Sequence, residues 1–335
     1  MSKPLKILQI VPSISLVYGG PSQMVLGLSS ALAAQGMEVT VLTTDSNGDS
    51  GQAPLDVPLN TAVEQDGYQI RYFHCSPFRR YKFSVELLRW LLEHSKEFDI
   101  AHIHALFSPI STAAARVSRF KKLPYILRPL GTLDPADLGK KKQLKKLYAA
   151  LLERHNLAGA AAIHFTSNEE AKISERFGTQ TKDLIIPLGV RSPQQLLLQG
   201  EPKKVRVDLG IPDDQLLLLF MSRIDPKKGL NLLIPALERL LIKNCNFHFV
   251  LAGTNPQDPS YEKQIQQQIE DSTLASRTTI TGFVTGELKA ALLQAADVFI
   301  LPSYYENFGI AVAEAMVAGT PVVISDQVHI WEEVK

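Results

Sequence analysis

The feature that most restricts this chain is a stretch of 27 residues, 298–324, in which two apolar runs enclose a polar loop and a helix of small residues. Residues 298–301 are apolar and stop at Pro302, residues 303–309 form a loop carrying Glu306 and Asn307, and residues 309–319 predict a helix ending at Gly319. A second apolar run, 322–324, comes next. Strand, helix, strand with apolar strands throughout is the pattern of a parallel sheet covered by helices. Such sheets hold ligands at the carboxyl ends of their strands, which is where residues 303–309 fall. The amides of Phe308, Gly309 and Ile310 begin the helix without intrahelical acceptors, and that makes a seat for an anion such as phosphate.

Two carboxylates flank this seat, Glu306 just before it and Glu314 eight positions further on. A carboxylate repels phosphate, so each is suited instead to accept hydrogen bonds from sugar hydroxyls. Phosphate and hydroxyls together describe a nucleotide sugar. An isolated Glu is more often a solvated surface residue. Here Ala311, Val312, Ala313, Ala315, Met316, Val317 and Ala318 make the helix apolar on nearly every side, so a charge within it needs a partner.

Glu306-x7-Glu314, with Asn-Phe-Gly after the first Glu and Glu-Ala-Met-x-Ala-Gly-x-Pro-Val-Val at the second, resembles the signature of glycosyltransferase family 4. The resemblance runs through the whole chain in order. It implies an α/β chain of the GT-B fold, two Rossmann-like domains facing across a cleft, that transfers sugar from a nucleotide-diphosphate donor with retention of anomeric configuration. The expected domains are 1–190, on the acceptor side, and 191–335, which binds the nucleotide sugar. Family members continue beyond the point where this sequence stops, inside a new helix after Ser325-Asp326, so the second domain is expected to be incomplete.

Lys and Arg number 35 against 34 acidic residues, so no global field points to nucleic acid. Cys75 and Cys245 have neither metal nor redox spacing and suit a reducing cytoplasm. The apolar run 7–11 is too short for a signal peptide and reads as a first strand, and no run is long enough to span a bilayer.

In the amino-terminal half, strand 7–11, helix 24–35 and strand 39–44 make a β-α-β unit. Its loop holds Gly19-Gly20-Pro21, where missing side chains let a ligand approach the backbone; the G-x-G-x-x-G of dinucleotide binding is absent. By resemblance Gly19 and Gly20 face the donor diphosphate, while alone they read as a turn. Residues 46–68 lack periodicity and read as loop; Arg79, Arg80 and Lys82 add local positive charge. Residues 99–107 form a strand entering a loop. His102 and His104 alternate onto one of its faces, but no third ligand lies nearby to complete a zinc site. The resemblance puts His104 beside the donor sugar and leaves His102 as a core histidine.

Strand 125–127 leads into Arg128-Pro-Leu-Gly-Thr-Leu-Asp-Pro, which resembles the acceptor-side loop of relatives that build extracellular polysaccharides. That makes Arg128, Thr132 and Asp134 candidate acceptor contacts. The next helix carries Leu144, Leu147, Tyr148, Leu151 and Leu152 on one face and Lys140, Lys141, Lys142, Lys145 and Lys146 on the other. A surface helix with its leucines in the core is the favoured reading. A peripheral contact with the inner face of the membrane, beside a saccharide or lipid-linked acceptor, is the other. Strands 160–165 and 184–186 complete the sheet, with a capping box at Ser167-x-x-Glu170 between them.

The domain junction is read at 187–202, rich in Gly, Pro and Gln. Strand 216–221 opens the second sheet and its loop carries Arg223 and Lys228, before helix 230–241. Two cations there suit a diphosphate whose charge grows as the glycosidic bond breaks, and they match the family's Arg and Lys at the same spacing. Alone they would be surface charge. Gly253, ending strand 247–251, is a close approach for the nucleotide, and by resemblance Phe283 and Val284 contact the base. No Asp-x-Asp pair of the metal-dependent transferases is present, so no metal and no cofactor beyond the donor is expected, with Arg223 and Lys228 supplying the charge. A non-catalytic binding subunit and a sugar-nucleotide epimerase are the competing readings.

Overall fold

In the first part of the chain the apolar runs become strands β1 (Lys6–Ile10), β2 (Glu38–Thr44), β3 (Ala62–Gln65), β4 (Tyr68–Phe73), β5 (Ile100–His104), β6 (Tyr125–Arg128), β7 (Ala162–Phe165) and β8 (Asp183–Ile185). Between them run α1 (Gly20–Ala34), α2 (Val85–His94), α3 (Pro109–Phe120), α4 (Pro135–Leu138), α5 (Lys142–Tyr148), α6 (Arg154–Gly159) and α7 (Asn168–Ile173). The computed structural model describes residues 3–49, 52–76, 81–139, 142–190 and 201–335. These fall into two units, Met1–Gly189 and Val190–Lys335. Arg79, Arg80, Lys140, Lys141 and most of the 187–202 junction lie outside the described residues.

The first unit is one sheet in the order β3-β4-β2-β1-β5-β6-β7-β8, parallel except for the β3–β4 pair. Helices cover both faces, and β1 and β5 are buried on both: Leu8, Ile10, Ala101 and Ile103 on one, each at 0% exposure, and Ile7, Gln9, His102 and His104 on the other. One face packs Leu8, Ile103, Leu127 and Ile163 against α2 and α3 through Leu87, Leu91, Ile110 and Ala114. The other packs Ile7, Val39 and Val41 against α1 through Met24 and Val25. Ser84 starts α2 by accepting from the Leu87 amide at 3.3 Å.

The structure corrects two expectations. The stretch read as loop, 46–68, contains β3, which forms a hairpin with β4 through Asp66 (φ 47°) and Gly67 (φ 83°). Asp-Gly between alternating residues is a hairpin signal, and it outweighs the loop composition before it. Helix α1 begins at Gly20 rather than Met24, because Pro21 fits the first helical turn. The capping box also differs in detail. Ser167 Oγ accepts from the Glu170 amide at 3.1 Å, while Glu170 Oε2 accepts from the amide and hydroxyl of Thr166, both at 2.7 Å.

The second unit contains α8 (Glu201–Asp208), β9 (Leu216–Met221), α9 (Leu230–Ile242), β10 (Phe247–Ala252), α10 (Pro259–Glu270), β11 (Thr278–Gly282), α11 (Gly286–Ala295), β12 (Val298–Leu301), α12 (Ile310–Val317), β13 (Val322–Ile324) and α13 (Trp331–Val334). Its parallel sheet has the order β11-β10-β9-β12-β13. The chain leaves β9 toward β10 and β11, then crosses back to place β12 on the other side of β9. That reversal opens a crevice between the carboxyl ends of β9 and β12, the place where sheets of this kind bind ligands. Central position explains the burial: β10 is buried at every residue, whereas edge strand β13 is partly exposed.

Candidate functional site

The loops after β9 and β12 meet at this crevice. After β9 come Ser222 and Arg223, then a single 3-10 turn, Pro226–Lys228, started by Asp225 Oδ1 accepting from the Lys227 amide at 3.1 Å. Gly229 (φ 76°) ends that turn and starts α9. A Cβ at Gly229 would overlap the Pro302 carbonyl oxygen, so only glycine lets the two loops approach this closely. Three further contacts hold the loops together. The Tyr304 amide donates to the Lys227 carbonyl at 2.8 Å, Asn231 Nδ2 donates to Tyr304 Oη at 2.8 Å, and Lys228 Nζ is ion-paired with Glu306 Oε2.

The Lys228–Glu306 pair is largely out of water, with the side chains 10% and 19% exposed. Burial by itself pushes the Glu306 carboxyl up. Lys228, with Lys227 and Arg223 behind it, outweighs that and holds it below the ordinary carboxylate value, so Glu306 is ionised. Burial and the neighbouring Lys228 lower Lys227. Arg223 donates through Nη1 to Gln257 Oε1 at 3.3 Å, with Asp225 4.0 Å away. Asn255 Nδ2 donates to the Ile224 carbonyl at 2.8 Å and so ties this loop to the end of β10.

Glu306 is held from behind by the segment after β13. Its amide donates to the Gln327 carbonyl at 3.0 Å, and its carbonyl accepts from the His329 amide at 3.1 Å. Gly309 (φ 76°, ψ 60°) turns the chain into α12 and provides no side-chain cap. A Cβ there would press on Val328 and, at 3.4 Å, on Glu306 Cγ. Lys228, Glu306 and the open first turn of α12 therefore form one contiguous cluster. The helix starts one residue later than its sequence suggests, so its first turn presents the amides of Gly309, Ile310 and Ala311; Phe308 lies just before it and is buried.

Glu314 has its partner: Lys289 Nζ of α11 lies 2.6 Å from Oε1. The helix carrying it is less enclosed than its composition suggests. Its buried residues are Val312 and Ala315, while Met316 and Val317 are each 42% exposed, because its outward side faces no other described element closely. Asn307 is partly buried. Phe283 is 55% exposed and Val284 is buried, after Gly282 at the end of β11. Gly253 has a structural reason of its own, since a Cβ there would overlap the Ser222 carbonyl oxygen where β9 and β10 end side by side.

In the first unit the named residues lie at strand ends but mostly below the surface. His104 is 0% exposed, with Nε2 2.7 Å from Gln9 Oε1. Burial, then His102, Arg128 and His164, hold it neutral, well below the ordinary histidine value. His164, which no sequence spacing connects to the other two, sits with Nδ1 3.2 Å from His102 Nε2. Burial and Arg128 lower it to about 4. Among the described residues no group of three potential ligands is arranged for a metal. Arg128 is 2% exposed and abuts Met24 Sδ at 2.6 Å. Thr132 Oγ1 donates to the Pro129 carbonyl at 2.8 Å, and Asp134 Oδ1 accepts from the Ala136 amide at 2.6 Å to cap α4. Each of these three has a folding role where an acceptor contact is the expectation. Gly19 (φ 69°) needs glycine for its conformation rather than for room, and Gly20 is the first residue of α1.

Lys227, Gly229, Asn255 and the 327–329 backbone are the site residues that sequence reasoning passes over. Lys227 and Gly229 were legible beside Lys228. The others act through backbone contacts between segments far apart in the chain.

The Glycosyl transferase 4-like domain model matches residues 19–189, and the Glycosyl transferases group 1 model matches residues 202–335. An uncharacterized glycosyltransferase of Methanocaldococcus jannaschii is 34% identical over 339 residues, covering 95% of this chain and 80% of that one. Among solved structures, sucrose-phosphate synthase from Thermosynechococcus elongatus superposes with a TM-score of 0.74 at 21% identity, covering 99% and 84% of the two chains. Anabaena HepE in complex with UDP-glucose gives 0.73 at 19%, covering 99% and 83%. At such identities the likeness shows the fold, GT-B.

Proposed function

This chain belongs to the group 1 glycosyl transferases, and on that premise we propose that it moves a sugar from a nucleoside-diphosphate sugar to a hydroxyl of a saccharide or lipid-linked saccharide, with retention and without a metal. The observation that carries the reading is the cluster at the ends of β9 and β12: Arg223, Lys227 and Lys228 beside an ionised Glu306 and an uncapped helix start. Cations and helix amides suit a diphosphate, and carboxylates suit sugar hydroxyls. The complex of a fold relative with UDP-glucose fits the same donor class.

In this reading the donor diphosphate lies on Arg223, Lys228 and the amides of Gly309 and Ile310. Glu306 and Asn307 position the sugar, Glu314 takes the ribose, and Phe283 and Val284 border the base. The acceptor hydroxyl attacks the anomeric carbon from the side on which the diphosphate departs. The carbon–oxygen bond to phosphate breaks, and a phosphate oxygen takes the acceptor's proton. The two cations stabilise the charge that grows on the diphosphate, the work a divalent ion does elsewhere. His104, Gly19 and Gly20 are proposed as further donor contacts, and Arg128, Thr132 and Asp134 as supports of the acceptor loop.

A thermal-shift screen over uridine, guanosine and adenosine diphosphates and their sugars tests this, since binding to the native state raises its melting temperature. One nucleotide series should stand out, and NMR of the product should show the donor's anomeric configuration in the presence of EDTA. A shift with no transfer or hydrolysis would make the chain a binding subunit. Conversion of the donor sugar alone to its epimer would make it an epimerase.

A further inference from the structure

The helix running from α5 through a π-helical turn, Ala149–Glu153, into α6 has a well-anchored inner side. Thr112 of α3 bonds to Tyr148 Oη at 2.7 Å and to Glu153 Oε1 at 2.6 Å, and Asn156 Nδ2 donates to the Thr112 carbonyl at 3.2 Å. Glu153 also accepts from the Phe107 amide at 2.9 Å. The sequence favours a helix whose leucines enter the core, and the structure overturns that for three of them: Leu144 is 63%, Leu147 57% and Leu151 63% exposed. Their spacing puts them on one stripe, because polar Tyr148, Glu153 and Asn156 already fill the inward positions.

The charge around the stripe has one sign. Lys142, Lys146 and Arg154 are exposed on the same helix, while Lys145 turns inward to Asp137 at 2.6 Å. On the neighbouring α3, whose Arg119 donates to the His155 carbonyl at 2.8 Å, Arg116 and Arg119 are exposed beside Phe120, 77% exposed. Lys121 and Lys122 come next, and residues 109–122 contain no Asp or Glu. The carboxylate within 142–159 is Glu153, which is buried. In a chain with a net charge of +1 this is a local concentration of cations, not a general excess.

We propose that the stripe Leu144, Leu147 and Leu151 seats the first unit on the surface of an anionic phospholipid bilayer, with the flanking lysines and arginines on the headgroups. Exposed leucines in line lose contact with water when they enter the acyl boundary. Lysine stems reach past them to keep the ammonium among phosphates. The helix lies in the plane of the surface and does not cross it: among the described residues no helix is long and apolar enough to span a membrane. The stripe belongs to the first unit and the donor cluster to the second, and the test does not depend on any activity.

The experiment is flotation of the full chain with vesicles of phosphatidylcholine alone and with about a third phosphatidylglycerol, the anionic fraction being the variable. Wild-type chain should float with the anionic vesicles and much less with the neutral ones. Changing Lys142 and Lys146 to Gln together should lower the partition coefficient roughly 30-fold, the combined effect of two surface cations. Changing Leu144, Leu147 and Leu151 to Ser should lower it roughly tenfold or more, with an unchanged melting temperature because all three side chains are exposed. If the triple variant melts early, Leu147→Ser alone serves, with a smaller loss. Three results would overturn the proposal: no flotation of the wild type, equal flotation of the leucine variant, or a wild-type dimer in light scattering that the leucine variant turns into a monomer.

Discussion

Replacing Lys228 with Met tests the central pair both as structure and as chemistry. It leaves Glu306 ionised, 19% exposed and without its principal counter-ion. Breaking a fully buried pair costs about 3–5 kcal/mol. Part of that is relieved here by remaining solvent and by Lys227 and Arg223, so a loss of about 2–3 kcal/mol is expected. Glu306→Gln together with Lys228→Met should restore much of it, and the double-mutant cycle should give a coupling of about 1–3 kcal/mol. Each unit holds one tryptophan, Trp90 and Trp331. In a Trp90→Phe background, urea unfolding monitored by fluorescence therefore reads the second unit by itself. The pH dependence has a definite sign. In the wild type the Glu306 pKa is depressed below its ordinary value of 4.5, so the pair's contribution is present at neutral pH and lost as pH falls through the lowered value. In the variant, burial acts without Lys228, the pKa rises, and the penalty at pH 7 shrinks on acidification as the carboxyl protonates. Turnover of Lys228→Ala should fall by about 100-fold or more, the scale of losing one preorganised charge contact. A coupling near zero, or turnover close to normal in a folded variant, would refute the reasoning.

Gly229→Ala and Gly253→Ala should each destabilise the second unit by about 3 kcal/mol or more in the same urea assay, because each added methyl meets a backbone carbonyl that cannot swing aside. The first unit should weaken as pH drops from about 6.5 toward 4, since His164, lowered to about 4, stays neutral in the fold while the unfolded chain takes up the proton. On that shift its contribution is about 3 kcal/mol; His102 and His104, also held well below the ordinary histidine value, add to the same acid loss, so His164→Asn should reduce the dependence of the midpoint on pH in Trp90 fluorescence without abolishing it. Glu314→Ala should weaken donor binding with little loss of turnover at saturation, and unchanged donor titration by calorimetry would contradict the ribose assignment.

The amino-acid sequence alone settled the features that depend on local pattern. Apolar runs at 298–301 and 322–324 around a small-residue helix specify a parallel strand-helix-strand unit, because period and length alone separate a buried strand from a covering helix. The pairing of Glu306 with Glu314, and of Arg223 with Lys228, was visible as spacing within single loops and helices. Gly-Pro at α1 and Asp-Gly before β4 were legible too, although composition argued against the second.

Tertiary structure decided which distant segments meet. Lys228 and Glu306 lie 78 positions apart and touch because strand order reverses between β9 and β12, a property of topology that no local pattern carries. The 327–329 backbone fixes Glu306 through hydrogen bonds that any side chain would permit. The burial of His104 and the exposure of Leu144, Leu147 and Leu151 reverse what their residue types suggest. Burial is set by what packs on a face: His104 is drawn in beside Gln9, while Tyr148, Glu153 and Asn156 fill the inward side of the other helix by bonding to Thr112.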